Sequence, residues 1–574
     1  MTNDLNTSTQ FVKSRVVAVL SGALAVVLLL GISGCGATRS TRYAQEHLQY
    51  DLVIYGGTSA GIAAAVQAAR MGKRAVLVEP GRHIGGLSAG GLGATDIGNK
   101  GAIGGIAREF YERVARHYEV DSAWRQETRL DYATRSGAGR NRAGDPVAKA
   151  RGVDAQWTFE PHVAEQIFKD FLAEAGIPVF LGERLDLHDG VQKENQRIRS
   201  IRMESGRTFA GKVFIDATYE GDLMAEAGVS FHVGREANAL YGETLNGVQT
   251  RNAIYHQFTK RVDPYVVPGE PASGLLPGIH PGRPGEEGAG DRFVQAYNLR
   301  VCLTDAPQNK VPIAKPAKYN AQRYELLRRY IDAGVFDALK LNTPMPNRKT
   351  DINNHGAFSS DHIGANWDYP NGDYAVRERI VQDHYDYIIG MWWFLQNDAR
   401  LPESVRQAAQ RWGLCRDEFR DTGGWPHQLY IREARRMISD YIMTEHHCRG
   451  QTMAEDSIGL AAYGMDSHNV QRYVKDGAAI NEGDVEVPVA RPYPVSYRAI
   501  VPRLRECENL LVPVCVASSH IAYGSIRMEP VFMVLGQSAA AAAAIAIEDR
   551  NPVQAVDYQK LSVRLLAGGQ ILSW

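Results

Sequence analysis

The chain has 574 residues, of which 44% are hydrophobic and 22% charged, a balance that excludes a largely disordered protein; at roughly 150 residues per domain this length allows three or four domains. Its 64 Lys+Arg stand against 65 Asp+Glu for a net charge of -1, so there is no basic surplus to neutralise phosphates and a bulk nucleic-acid binder is excluded. Glycine is the unusual component, 56 residues without the every-third period of collagen, so its clusters carry positional meaning.

Lys13 and Arg15 precede an apolar run from Val16 to Leu30, which ends in Ile32-Ser33-Gly34-Cys35. A basic start, a short apolar run and small residues before a cysteine have the layout of a secretion signal. The run is shorter than the roughly 20 residues a membrane span needs. The last four residues resemble the bacterial lipobox. That resemblance implies a lipoprotein signal over 1–35, lipidation at Cys35, a tether over 36–49 and a lipid-anchored place in the bacterial cell envelope, on the periplasmic side or the outer surface. The remaining cysteines, Cys302, Cys415, Cys448, Cys507 and Cys515, form no C-x-x-C pair, so neither a zinc site nor an iron–sulfur cluster is read, and no metal is expected. Buried free thiols are the expectation for them.

From Tyr50 a short β-rich run leads into Gly56-Gly57-Thr58-Ser59-Ala60-Gly61 and an alanine-rich helix to Met71. A second strand, Ala75 to Val78, ends at Glu79, roughly 20 residues past the first glycine. Gly56 permits the tight turn, Gly61 lets helix pack on strand, the helix N-terminus offers free N–H groups to a pyrophosphate, and Glu79 can accept from ribose hydroxyls. Thr58 replaces the second glycine of the fingerprint, and its hydroxyl could donate to a phosphate. The stretch Gly81 to Gly93, including Gly85, Gly86, Leu87 and Ser88, is too glycine-dense for a helix or a regular strand. A bare backbone there would let a long flat ligand lie against the chain, which favours FAD over NAD. His83 in this loop reads as an ordinary surface histidine.

Two later segments complete the cofactor pattern: a strand from Lys212 through Ala217 to Asp222, and the C-terminal Asn509 to Pro530. There Arg527, Met528, Glu529 and Val531 flank Pro530, which opens an apolar helix reaching about Ile547. The positive N-terminus of that helix, aimed at the flavin, would stabilise its reduced anion.

These residues resemble the FAD-dependent oxidoreductases of the glutathione-reductase-like superfamily, in the group that includes heterodisulfide reductase A-like proteins. The resemblance rests on Tyr55 to Gly61, Glu79, Gly85 to Gly91, Ile215 to Asp222 and Arg527 to Phe532, and it implies FAD as cofactor. Heterodisulfide reductase relatives pass electrons through cysteine-ligated iron–sulfur clusters, and this sequence departs from them, because its cysteines are too scattered to hold one. Similar sequences are sometimes labelled xanthan lyase, which hints at polysaccharide catabolism.

The expected fold is α/β: a Rossmann-like FAD domain of discontinuous segments, 50–234 and 499–574, with an inserted, mainly helical substrate or cap domain over 235–498. Apolar residues at three- and four-residue spacing predict helices over Tyr374 to Leu395, Glu403 to Trp412 and Ile431 to Met443. The expected function is hydride transfer between flavin N5 and a small organic or carbohydrate-derived substrate, such as an oligosaccharide, with an unknown electron acceptor. The alternatives are a polysaccharide lyase and a non-catalytic, flavin-containing surface binding protein.

His520, between the last FAD strand and Arg527, is the leading acid/base candidate. His427, Arg432 and Arg498 are further catalytic candidates. His427 and Arg432 can converge only if the turn before them ends between the two. Asn353, Asn354, His355, Asp361, His362 and Trp367 form a polar-aromatic stretch able to line a sugar pocket. Asp466, His468 and Tyr497 are weaker candidates, for which an ordinary structural hydrogen bond or ion pair is the commoner role.

Overall fold

The computed structural model describes residues 47–135, 155–338, 341 and 343–574, which fall in one compact unit, Glu46–Trp574. The signal, Cys35 and residues 36–46 of the tether lie outside the described residues; residues 47–49, expected as tether, already belong to the first strand.

The framework is a seven-stranded sheet. Strand β1 (His47–Tyr55) runs at its centre, parallel to β2 (Ala75–Glu79) on one side and to β6 (Thr208–Asp216) on the other. Strand β3 (Val179–Leu181) extends the parallel set beyond β2, and Leu510–Leu511 pairs parallel to β6. Strands β4 (Val191–Glu194) and β5 (Arg197–Arg202) continue from β6 as an antiparallel ribbon. The sequence explains the arrangement. Leu52, Val53 and Ile54 are wholly buried, as a strand covered on both faces requires, and the glycine turn delivers the chain to the carboxyl ends of the parallel strands.

Helix α1 (Ser59–Arg70) follows that turn, capped by Thr58, whose side chain accepts from the Gly61 N–H at 3.3 Å. Its small residues serve packing. A Cβ at Gly61 would overlap the Gly56 carbonyl, and one at Gly536 would overlap the carbonyl oxygen of Ala60. Gly536 belongs to the helix Glu529–Asp549, which therefore meets α1 backbone to backbone. That helix is long and apolar enough to cross a membrane, but its apolar window is 94% buried in the protein, which makes it the core helix.

Residues 235–498 contain the predicted helices Tyr374–Asn397 and Glu403–Gln410, beside short strands. Met465–Ser467 pairs antiparallel with Val485–Val487, and Gln471–Lys475 with Ala478–Glu482. The predicted helix over Ile431 to Met443 does not form. The segment is irregular apart from the strand Arg436–Met437, because its charged residues find buried partners on different elements instead of one helical face. Arg435 reaches Asp222 at 2.6 Å and Arg436 reaches Glu236 at 2.6 Å. Asp222 also receives Arg377 of the helix Tyr374–Asn397 at 2.6 Å, so the end of the β6 motif clamps two arginines from the inserted segment. Cys302, Cys415, Cys448, Cys507 and Cys515 are buried and unpaired, as expected.

Candidate functional site

At the carboxyl ends of the parallel strands a cavity of about 440 Å³ opens over Gly56, Thr58, Glu79, Gly81, Thr218 and Glu220. Gly56 has φ +103°, and a Cβ there would stand 2.7 Å from the Ala217 and Thr218 backbone. Only glycine lets the turn pass this close to the end of β6. Thr58 explains its own departure from the fingerprint: its hydroxyl donates to the Ala217 carbonyl at 2.7 Å. The proton that could have reached a phosphate therefore ties the turn to the sheet instead. Glu79 accepts from the N–H of Gly57 at 2.5 Å and of Gly81 at 2.6 Å. Burial outweighs these bonds and pushes its carboxyl up to about 7.

Of the expected cofactor residues, Gly56, Thr58 and Glu79 line this cavity, and several of the others hold one another. The Leu87 N–H donates to Tyr219 Oη, which donates to Glu529 at 2.7 Å, and Ser88 donates to the other Glu529 oxygen at 2.8 Å. Ser59 Oγ lies 3.5 Å from the Glu529 carbonyl, so the N-termini of α1 and of the helix Glu529–Asp549 converge. Two positive helix ends at one point suit an anionic cofactor. Ala60, Met528 and Val531 are buried in this junction.

The glycine-dense loop behaves differently from expectation. Gly86–Ala89 form a short helix, which we label α2. Added Cβ atoms at Gly90, Gly91 and Gly93 would overlap Gln428, the Arg300 carbonyl and Met345, and at Gly85 one would meet Phe168. These glycines make room for the protein itself. His83 pairs with Glu165 at 3.1 Å and Asp421 at 3.0 Å and stacks on His427 at 4.0 Å.

The catalytic candidates separate. His520 is buried, with Nδ1 2.7 Å from Glu433 and Nε2 2.9 Å from Ser467. Burial, with Arg436 and Arg235 nearby, pushes it down to about 3, so both nitrogens of a neutral ring are committed to structure. It is not positioned as an acid/base. Arg498 is also corrected: it lies on the surface, 3.0 Å from Asp456 and over Tyr441. His427 lines the cofactor cavity together with Glu79; its ring, pushed down to about 4 by burial and by His83, has no hydrogen-bond partner among the described residues. Arg432 goes elsewhere, so the two do not converge.

Directly after His427-Gln428-Leu429 on the wall of that cavity, Tyr430 lines a second one of about 880 Å³, with Asp96, Asn353, Asn354, Tyr463, Asp466 and His468. Three buried arginines surround the Tyr430 ring: Arg432 at 4.4 Å, Arg300 at 5.8 Å and Arg527 at 6.0 Å. Arg527 also donates to Tyr430 Oη at 3.2 Å. Arg432 Nε, Arg300 Nη1 and Arg527 Nε each lack a hydrogen-bond partner among the described residues. His468 lies with Nδ1 2.7 Å from Asp361 and Nε2 3.7 Å from Asp466. Burial opposes ionisation of both acids, yet Arg432 and His468 hold Asp361 below its ordinary value, while His468 and Arg527 do the same for Asp466. Asp361, His468 and Asp466 were weak candidates in the sequence, and folding brings them to one place. Arg300 and Asp96 carried no sequence signal, since nothing local in a strand-like run or a glycine loop marks a long-range partner.

A doubly wound sheet with a fingerprint turn, an acid at the end of β2 and a polar cavity beside it defines a dinucleotide-dependent enzyme. Residues 51–565 match the family model described as FAD dependent oxidoreductase, and the chain belongs to that family. Its cofactor is FAD and it is an oxidoreductase. No curated protein matches it. Similar solved structures include L-amino acid deaminase from Proteus vulgaris, at 14% identity and TM-score 0.23, covering 33% of this chain and 52% of that one. L-proline dehydrogenase from P. horikoshii is 17% identical with TM-score 0.23, covering 33% of this chain and 59% of that one. A 3-ketosteroid dehydrogenase from Rhodococcus jostii RHA1 is 15% identical with TM-score 0.19, covering 33% of this chain and 50% of that one. The match thus spans between half and three fifths of these relatives.

The residues present fit FAD. The backbone N–H groups of Thr58 and Ser59 at the start of α1 would hold the pyrophosphate end and Glu79 the ribose, while Gly56 and Gly61, whose N–H groups bond Val78 and Thr58, keep the turn tight.

Proposed function

We propose that the protein oxidises a small organic acid, carbohydrate-derived, that carries a carboxylate beside the carbon to be oxidised. FAD, held by the α1 N-terminus and Glu79, would supply the two-electron acceptor for the substrate's hydride. The observation that carries the reading is the set of Arg300, Arg432 and Arg527 about Tyr430, which lines the larger cavity: three buried guanidiniums, each with an N–H that has no partner among the described residues. Buried donors left without partners favour an anionic ligand, since each otherwise forfeits its hydrogen bond.

His468 is the proton acceptor in this reading. Asp361 receives its Nδ1–H, which leaves Nε2 as the basic atom on the cavity side, and the Asp361 and Asp466 carboxylates stabilise the imidazolium formed when it takes the substrate's proton. Asn353 and Asn354 on the same wall offer amide groups to sugar hydroxyls. The electron acceptor that reoxidises the enzyme is a separate partner. Lys13, Arg15, the apolar run and Cys35 support a lipid-anchored place in the cell envelope, tested by incorporation of labelled lipid at Cys35.

The test is anaerobic mixing of the FAD-loaded protein with uronic and aldonic acids and with their neutral sugars. Bleaching of the yellow flavin by acids and not by neutral sugars is expected. Bleaching by neutral sugars alone would overturn the substrate class, and chain cleavage of a polyuronate without bleaching would point to a lyase.

A further inference from the structure

Among the described residues, two clusters of His, Asp and Glu have their ligand atoms within 4.8 Å of one another: Glu160, His162 and Glu418, and His256, Asp484 and Glu486. The first already holds a cation of its own. Lys349 Nζ is buried between Glu160 at 2.7 Å, Glu418 at 2.7 Å and Asp417 at 2.9 Å, so an ammonium occupies the centre.

The second cluster has no such group among the described residues. Asp484 is 1% exposed, and its Oδ1 lacks a hydrogen-bond partner. A buried carboxylate oxygen without a donor is costly and calls for a cation or a proton. His256 Nδ1 is likewise buried without a partner, while its Nε2 lies 3.1 Å from Glu486. The placement follows from the fold. Asp484 and Glu486 stand two apart at the strand Val485–Val487 and so share a face. Asn481 donates to the His256 carbonyl at 2.9 Å, and the Gln257 amide bonds the Asn481 carbonyl at 3.0 Å, which pins the histidine loop to the neighbouring strand. His256 and Glu486 line the 880 Å³ cavity, on the same wall as Asp466, which faces Glu486 across the strand pair.

We propose that His256, Asp484 and Glu486 form a binding site for one divalent first-row transition-metal ion at the edge of the large cavity. One imidazole and two carboxylates give a mixed nitrogen and oxygen set whose two negative charges match the ion. Such a set suits zinc or manganese, whereas calcium and magnesium favour oxygen alone. Three protein ligands leave positions for water or a substrate oxygen. The site stands independently of the substrate reading, because it is defined by metal binding in the absence of turnover.

The FAD-loaded protein, dialysed against a chelator, is titrated with zinc chloride and with manganese chloride by calorimetry. One ion bound per chain at micromolar affinity or tighter is expected with at least one of them. Asp484→Asn and Glu486→Gln should each weaken binding tenfold or more. Glu486 is exposed, so its variant keeps the test valid even if the buried asparagine disturbs folding; retained flavin absorbance checks both. His162→Ala, in the lysine-filled cluster, should leave binding unchanged. Absence of binding by both metals, or binding lost in His162→Ala and kept in Glu486→Gln, would overturn the site.

Discussion

Nδ1 of His468 lies 2.7 Å from a carboxylate oxygen of Asp361, and His468 lines the same cavity as Tyr430. A carboxylate on one ring nitrogen fixes the tautomer and leaves the other nitrogen as the base. Replacing His468 with Gln should lower kcat by about 10²–10³-fold, the usual worth of a positioned proton acceptor, while the flavin content of the purified enzyme stays unchanged. Asp361→Asn should lower kcat by less and shift the pH profile. A His468→Gln enzyme with unaltered kcat would remove the histidine from the reaction.

Arg527 donates to Tyr430 Oη and to the backbone carbonyl of Asp466, and its Nε has no partner among the described residues. If that N–H meets the substrate carboxylate, Arg527→Gln should raise KM for acidic substrates roughly 10- to 100-fold, the worth of a hydrogen bond to a charged group. KM for a neutral analogue should move little. Comparing kcat/KM for an acid and its amide in the two enzymes measures this directly.

The cofactor half of the molecule was legible because its signals are local. Turn, helix and acid sit within a short stretch, and Gly56, Gly61 and Glu79 are where the spacing puts them. The substrate half was less so. His520 looked catalytic from its position before Arg527, yet Glu433 and Ser467, distant in sequence, occupy both its nitrogens. Arg498 looked equally plausible and is paired with Asp456 on the surface. Asp361 and His468 meet only because separate loops converge, a pairing that neither periodicity nor spacing encodes. The glycines from Gly85 to Gly93 were read as a bare backbone for a flat ligand, but what approaches Gly85, Gly90, Gly91 and Gly93 is Phe168, Gln428, Arg300 and Met345. As a corollary, Arg498→Ala should leave kcat within about twofold, since an exposed ion pair contributes little.

Gly536 tests the central helix contact. A side chain there meets the Ala60 carbonyl of α1, which is backbone and cannot swing away. Gly536→Val should separate the two helices, destabilise the protein by about 1–3 kcal/mol as overpacking does, and loosen FAD, because the same helices carry the converging N-termini at Ser59 and Glu529. Thermal melts of the cofactor-free proteins with and without added FAD check this: a looser site should gain less melting temperature from the same added cofactor than the native protein gains.

Glu79 predicts a pH dependence. Its carboxyl is pushed from an ordinary 4.5 up to about 7 by burial, against the bonds from Gly81 and Gly57. The folded state therefore holds the proton more tightly than the unfolded chain. The sign follows: the group's stabilising contribution is complete below the unfolded value of 4.5 and is lost as pH rises through about 7. With the residue partly exposed, the loss is on the order of 2 kcal/mol. Ribose hydroxyls donate to the ionised form, so FAD binding should strengthen over the same interval in which the cofactor-free protein weakens. Melting the cofactor-free protein from about pH 5 to about pH 8, native beside Glu79→Gln, should give a native curve that falls relative to the variant's, while FAD titrations show native affinity rising with pH and the variant's staying flat. Parallel curves for the two proteins would mean that Glu79 does not titrate in this range.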